Sequence, residues 1–297
     1  MKEKNQIKLF YSKDWVDYQL LDTGDREKLE RVGPHTFVRP SESEVWSKTL
    51  PKGDWEKIDG KFWSSKTGAK AGWKFEKKIA EKWNMQYNGI KFLSSPTPFR
   101  HLGFFPEQAS HWDFIENKIK NAGRPVKFLN LFGYTGLASL FALRAGAEVT
   151  HVDASKQSLK WAKENEDASK DVLGGKTMRV IEDDVLKFLE KEIKRGNKYD
   201  AIIMDPPKFG RGPKGETWKI EEMLPKLLEL VVKVLSDKPI FVILTSYATD
   251  SSALTLGYAL SEITKNLGSE VEVGELCVLE KSNGRLISLA HTAVWSN

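Results

Sequence analysis

The chain has 297 residues, a net charge of +5 and a single cysteine. That length suits one large domain or two ordinary ones with a real core, and the composition is that of a globular protein without long disorder. One cysteine excludes an internal disulfide and a cysteine-built metal site, and no apolar run approaches the ~20 residues of a membrane-spanning helix.

The opening stretch "MKEKNQIKLFYSKDW" is charged throughout and lacks the apolar segment of a signal peptide, so a cytoplasmic protein with no membrane attachment is expected. Residues 1–92 read as a β-rich basic module. "YQLLDTG" (18–24), "KLERVG" (28–33) and "HTFVRP" (35–40) are short, partly alternating runs broken by Gly and Pro, and "GKFWSSKTGAKAGWKFEK" contains a hairpin with strands near Phe62 and Trp73. The first 100 residues carry about 20 Lys and Arg against about 14 Asp and Glu, and hold Trp15, Trp46, Trp55, Trp63, Trp73 and Trp83. Basic residues interleaved with aromatics suit a nucleic-acid surface, where phosphates meet cations and bases stack on rings. They equally suit a small β domain with tryptophans inside and lysines outside.

Residues 93–124 form a connecting segment. The proline-rich "SSPTPF" disfavours helix, and Pro106 opens a helix to about Asn121 with Trp112, Ile115 and Ile119 on one side. From 125 to 297 strands and helices alternate. Strands are expected at 126–132, 148–153, 177–182, 199–205 and 239–247, with helices at 137–146, 156–168, 185–195, 219–236 and 252–266. Two strand-like runs, "EVEVGELCVLE" and "RLISLAHTAVWS", flank Ser282-Asn283-Gly284 and close the chain as a hairpin. The expected fold is α/β: a doubly wound, seven-stranded, mostly parallel Rossmann-like sheet, preceded by the small β-rich domain. Its ligand should lie beyond the C-terminal ends of the strands.

Three strand ends carry polar chemistry there. After the first comes "NLFGYTG", Asn130 to Gly136, whose Gly133 and Gly136 let the backbone approach a ligand, as they would also serve a plain turn. Asp153 ends the second strand, where a carboxylate can hold two ribose hydroxyls or simply open the next helix with Ser155. Asp184 follows the third and could accept from an adenine amine or cap a helix. The run G-Y-T-G lacks the third glycine of a dinucleotide site, and no phosphate-binding G-x-x-x-x-G-K-[ST] loop is present. A nucleoside without phosphate fits better.

"FLNLFGYTG", "HVDAS", "EDDV" and "DPPKFGRG", in this order, resemble the motifs of class I S-adenosylmethionine-dependent methyltransferases. Within them the chain is most similar to the group containing the large-subunit ribosomal RNA methyltransferases, with their N-x-F-x-Y-T-G loop and D-P-P-K-F motif; "GFFPEQ" (103–108) resembles that group's G-F-F-x-D-Q segment. The similarity spans roughly residues 95 to 297. It implies S-adenosyl-L-methionine as cofactor, lined by Asn130, Phe132, Gly133, Tyr134, Thr135 and Gly136, by Asp153 with Ala154 and Ser155, by Asp184 with Val185, and by Asp205, with Gln108 closing the pocket from the side.

The resemblance places acceptor chemistry at Asp205, Pro206, Pro207 and Phe209. The prolines fix φ and remove two N–H donors, which stiffens the loop and frees its carbonyls for a substrate, while Phe209 is placed to stack on a base. Relatives that methylate carbon 5 of cytosine need a cysteine near the end of the next strand; here "ILTSYATDSS" puts Tyr247 there, and Cys277 reads as a core residue. Covalent cysteine chemistry is therefore not expected. "GRGPKGETWKI" (210–220) reads as a mobile lid or an ordinary solvated loop. RNA, ribosomal RNA foremost, is the expected partner; a protein or small-molecule acceptor, or an RNA-binding protein with a vestigial cofactor pocket, are the alternatives.

Overall fold

A chain that must cross back over a sheet before its next strand pairs in parallel, and the strand–helix alternation after residue 125 has that consequence. The computed structural model describes residues 6–13, 15–63, 71–247 and 252–297. Contacts divide the chain into two units: Met1–Phe10, Ser110–Cys277 and Ser288–Asn297 make one, Tyr11–Ala109 and Val278–Ile287 the other. In chain order the elements begin with β1 (Ile7–Phe10), β2 (Tyr18–Gly24), β3 (Glu27–Val32), β4 (His35–Pro40), α1 (Lys52–Glu56), β5 (Gly60–Trp63), β6 (Gly72–Phe75), β7 (Trp83–Tyr87) and β8 (Ile90–Ser94). A 3-10 turn, Pro106–Gln108, then leads into α2 (Ala109–Lys120), β9 (Lys127–Leu131), α3 (Leu137–Arg144), β10 (Glu148–Asp153) and α4 (Lys156–Ala168). There follow β11 (Arg179–Glu182), α5 (Val185–Arg195), β12 (Ala201–Met204), β13 (Phe209–Arg211), β14 (Thr217–Lys219) and α6 (Ile220–Val234). The chain finishes with β15 (Phe241–Ser246), α7 (Ala253–Thr264), β16 (Val271–Leu279) and β17 (Leu286–Ser296).

The larger unit holds an eight-stranded sheet in the order β1-β16-β17-β15-β12-β9-β10-β11. The run β15-β12-β9-β10-β11 is parallel throughout, and β17 lies antiparallel to β15. The expected seven strands are present and the doubly wound class holds. The eighth, β1, pairs in parallel with β16, Ile7 opposite Val273. Division by contacts thus differs from the composition boundaries in three places: β1 belongs with the C-terminal sheet, the hairpin tip 278–287 belongs with the N-terminal unit, and the connecting segment 93–124 is divided after Ala109. Every residue of β12 and β15 is buried, the uninterrupted apolar pattern of strands covered on both faces. One face packs α5, α6 and α7 through Leu129, Val152, Phe188, Met204, Val231 and Leu260. On the other, Trp112 of α2 stacks on Phe141 of α3 at 5.6 Å, and His111 Nε2 bonds Thr292 Oγ1 at 2.8 Å. The chain leaves β9 in one direction for β10 and β11 and in the other for β12 and β15, so a crevice opens between the C-terminal ends of β9 and β12.

The smaller unit holds a five-stranded sheet, β2-β3-β4-β5-β6, and the hairpin β7–β8. The expected strands near Phe62 and Trp73 pair directly, Phe62 opposite Trp73; the link 64–70 lies outside the described residues. A bulge in β2 between Leu20 and Asp22 turns the Asp22 side chain inward, where it is fully buried. Asp22 Oδ2 accepts from Thr49 N (3.0 Å), Leu50 N (2.8 Å) and Trp55 Nε1 (2.9 Å), and Oδ1 from Ser282 Oγ (2.6 Å) on the hairpin tip. Burial opposes its charge, but these four donors outweigh burial and hold the carboxyl below the ordinary range. Asp22→Ala would strand all four, so the expected loss of stability is about 4 kcal/mol at roughly 1 kcal/mol per net hydrogen bond. Urea unfolding checks this; a variant within error of wild type would mean that water replaces the carboxylate.

Candidate active site

β9 ends at Leu131 in the crevice, and the loop after it is conformationally costly. Phe132 (φ 58°) and Tyr134 (φ 51°) both sit in the left-handed region, at roughly 1–3 kcal/mol each for a side-chain-bearing residue. Several bonds hold them there. Gly133 N donates to Val152 O (3.0 Å), Tyr134 N to Asp153 Oδ2 (2.9 Å), Gly136 N to Gly133 O (3.0 Å), and Asn165 Nδ2 to Thr135 O (2.9 Å). Beneath the loop Asn130 Nδ2 donates to Ser139 Oγ (3.0 Å), which also bonds His151 Nδ1 at 3.0 Å. A Cβ at Gly133 would overlap the His151 ring, so glycine is required by close approach, and Gly136 (φ 86°) is required by its backbone before α3. Ser139 carried no signal in sequence and His151 stood in "HVDAS" without a role of its own; the fold brings both under the loop.

Asp153, partly buried at the end of β10, faces that loop. Its Oδ1 accepts from Ser155 N (2.8 Å) as its Oδ2 accepts from Tyr134 N. Burial raises its pKa, and the backbone donors Ser155, Tyr134 and Ala154 offset part of the rise. Each carboxylate oxygen has a second lone pair, so the group can still accept from a vicinal diol. Ser155 is exposed and caps α4, accepting from Ser158 N at 3.2 Å. Asp184 caps α5, accepting from Lys187 N at 3.0 Å, and Val185 is buried as the first residue of that helix. Both readings of Asp153 and Asp184, ligand and helix opening, are thus compatible with one geometry.

Asp205 leaves β12 beside this loop, its N–H directed at Leu131 O (3.4 Å). Pro206 is buried, and Phe209 is 56% exposed. The sequence reading of two free proline carbonyls needs correction: Pro207 O accepts from Trp218 Nε1 at 2.6 Å, so that carbonyl is already engaged within the fold. The segment 210–220, read as a lid or solvated loop, instead forms the hairpin β13–β14, with Gly210 opposite Trp218 and Ile220 N bonded to Lys208 O (3.1 Å). The buried Trp218 ring meets Phe132 edge-on at 4.9 Å, and Glu216 pairs with Lys187 of α5. Trp218 was missed in sequence because a Gly- and Lys-rich stretch hides a single buried ring.

Gln108 belongs to the smaller unit, buried in the turn Pro106–Gln108. Tyr247 follows β15 directly, and 248–251, where the rest of "ILTSYATDSS" falls, lie outside the described residues. Cys277 is buried on β16, three strands from β12, a separation of roughly 14 Å at the usual strand spacing. A cleft of about 470 Å³ lies at the opposite ends of the strands, lined by Val126, Lys127, Glu148, Asp200 and Ser236. Its Asp200 is occupied with Lys127 N (2.8 Å), Ser236 Oγ (2.8 Å) and Arg124 (2.9 Å), bonds that tie strand starts together. Among the described residues no three His, Cys, Asp or Glu side chains are grouped to hold a metal, and no helix is long and apolar enough to cross a membrane.

Burial pushes the His151 imidazole down to about 4. A histidine depressed on folding contributes stability that is complete above its unfolded pKa and lost as pH falls through the folded one. The window here runs from 6.5 to about 4, worth about 3 kcal/mol. The stability gap between wild type and His151→Gln should therefore shrink across that window in pH-resolved urea titrations; a constant gap would show that His151 does not titrate against the fold.

The sequence profile of the S-adenosylmethionine-dependent methyltransferases matches residues 65–243, more than half of the chain. An S-adenosylmethionine-dependent methyltransferase from Agrobacterium tumefaciens has the same fold, with a TM-score of 0.92, 39% identity, and coverage of 97% of this chain and 93% of that one. Ribosomal RNA large subunit methyltransferase K of Neisseria meningitidis serogroup B is 27% identical over 256 residues, 82% of this chain and 70% of that protein. Ribosomal RNA large subunit methyltransferase I of Aeromonas salmonicida is 35% identical over 126 residues, 42% of this chain and 30% of that protein.

Proposed function

The chain belongs to the S-adenosylmethionine-dependent methyltransferases, and from that premise we propose that it methylates RNA, ribosomal RNA foremost, in the cytoplasm and without a cysteine nucleophile. The observation that carries the last part is the position of the only cysteine, buried on β16 and three strands from Asp205. RNA as acceptor is supported by relatives whose names specify ribosomal RNA and by the basic excess of the first 100 residues.

The residues present fit the cofactor. Asp153 offers paired acceptors to ribose hydroxyls, Asp184 and Val185 would border the adenine, and Gly133, seated directly on His151, holds the Asn130–Gly136 backbone where it would meet the amino acid end. S-adenosylmethionine supplies a methyl group on a positively charged sulfur that a nucleophile can take in one displacement. The chain's own part is positioning. Pro206 O accepts a hydrogen bond from the incoming nucleophile, Trp218 fixes the loop that carries it, and Phe209, exposed beyond the loop, offers a ring to a base.

Asp153→Ala should weaken S-adenosylmethionine at least about tenfold by calorimetry, the equivalent of one to two charge-assisted hydrogen bonds. Because burial raises its pKa, wild-type affinity should begin to fall, as pH is lowered, above the range of an ordinary aspartate. Unchanged affinity in the variant would remove Asp153 from the site. Cys277→Ser should leave methyl transfer to RNA intact within about twofold; abolished turnover in a folded, cofactor-binding variant would overturn the direct mechanism.

A further inference from the structure

The tryptophans of the smaller unit fall into different environments. Trp55 and Trp83 are buried at 7% and 8% exposure and behave as core. On the β5–β6 pair the register sets Phe62 opposite Trp73 and Gly60 opposite Phe75, so Trp73 and Phe75 share one face. Trp73 rests on the core through Phe37 (5.3 Å) and Phe62 (5.4 Å), and Phe75 lies parallel to Trp73, 5.8 Å away with 7° between planes. Phe75 can lie flat because its partner is glycine: a Cβ on Gly60 would come within 2.8 Å of its ring. Trp73 Nε1 donates to Thr97 O (2.8 Å) and Phe99 O (3.1 Å), which holds Phe99 beside the stack. The inner ring is anchored, while Phe75 and Phe99 are 42% and 72% exposed.

An exposed aromatic stack on a rigid support presents π-faces at little entropic cost, which suits unstacked bases. The segment that carries the three rings has the matching net sign: residues 71–100 contain six Lys and Arg against two Glu, with Lys74 paired to Glu76 and Lys77 to Asp59. A second copy of this chain is the poorer occupant. β6 is the sheet edge, and edge-to-edge pairing would set its exposed Lys74 and the lysines after it against their equivalents.

Resting on the reading of RNA as acceptor, we infer that Trp73, Phe75 and Phe99 form a ledge that binds an unpaired segment of the substrate RNA by base stacking, with phosphates met by the adjacent lysines. The ledge would give a preference for single strands over duplex, because only unpaired bases expose a face to stack.

The test uses the full chain and fluorescence anisotropy with a labelled single-stranded RNA and its duplex, across a salt series. Phe75→Ala/Phe99→Ala should bind the single strand at least about tenfold more weakly, with salt dependence, melting temperature and S-adenosylmethionine affinity unchanged. Trp63→Ala, an exposed ring on the opposite face of the same strand pair, should bind as wild type. Equal affinity of the double variant and wild type would overturn the ledge while leaving RNA as acceptor, and so would equal weakening by Trp63→Ala. A dimer of wild type that the double variant loses, in sedimentation without RNA, would assign the face to a second copy instead. Absence of any RNA binding by wild type would remove the RNA reading itself, and the ledge with it.

Discussion

The hydrogen bond from Tyr134 N to the Asp153 carboxylate is the constraint on which the catalytic end of the sheet depends. It joins the ends of two neighbouring parallel strands, and it stabilises a backbone that would otherwise relax, since Phe132 and Tyr134 both occupy the left-handed region. On the proposed reading the same carboxylate also accepts from a ribose, so the loop would be set before the cofactor binds and little ordering would remain to oppose binding. Burial raises the Asp153 pKa, and the backbone donors offset part of that rise.

The loop after β9 and the loop after β12 are mechanically one piece. Phe132 belongs to the first, Pro207 to the second, and Trp218 touches both, edge-on to the ring at 4.9 Å and donating to the carbonyl at 2.6 Å. A displacement reaction is sensitive to small changes of approach, so a shared brace between the two loops matters more than either alone. The hairpin that carries Trp218 is tied in turn to α5 through Glu216 and Lys187, two helical turns or fewer from Asp184. The loop after β9, the loop after β12 and the start of α5 thus share one continuous support within the larger unit.

Most of that unit was legible because its physics is local. Period-two and period-3.6 patterns, a Gly after α5, and Ser155 and Asp184 as caps place each element within a few residues of its position. What was hidden depends on distant partners. β1 has four residues, three of them exposed, and becomes a strand only because β16 runs beside it more than 250 positions later. The Pro207 carbonyl looked available because the tryptophan that occupies it lies in a stretch with the composition of a loop. Of the two roles that sequence offered for Asp184, the cap is formed, by Lys187 N on its Oδ1. His111, to which sequence assigned no role, has a structural one, bonded to Thr292 in the core.

The smaller unit shows why a count of tryptophans and lysines divides evenly between core and surface. Trp55 is held by a fully buried carboxylate, whereas Trp73 is half core and half platform, and both are aromatic residues beside lysines in the sequence. What separates them is position: Trp55 lies in α1 over the core, whereas Trp73 lies on β6 beside Phe75. Gly60 opposite Phe75 removes the side chain that would otherwise stand in the way, and the stack continues outward from the core instead of ending there. A glycine within a strand weakens it, and here the weakened position is next to a sheet edge already blunted by lysine. That combination lowers the local stability of the edge, whereas a buried polar anchor, Asp22 with its four donors, lies on β2 at the other side of the five-stranded sheet.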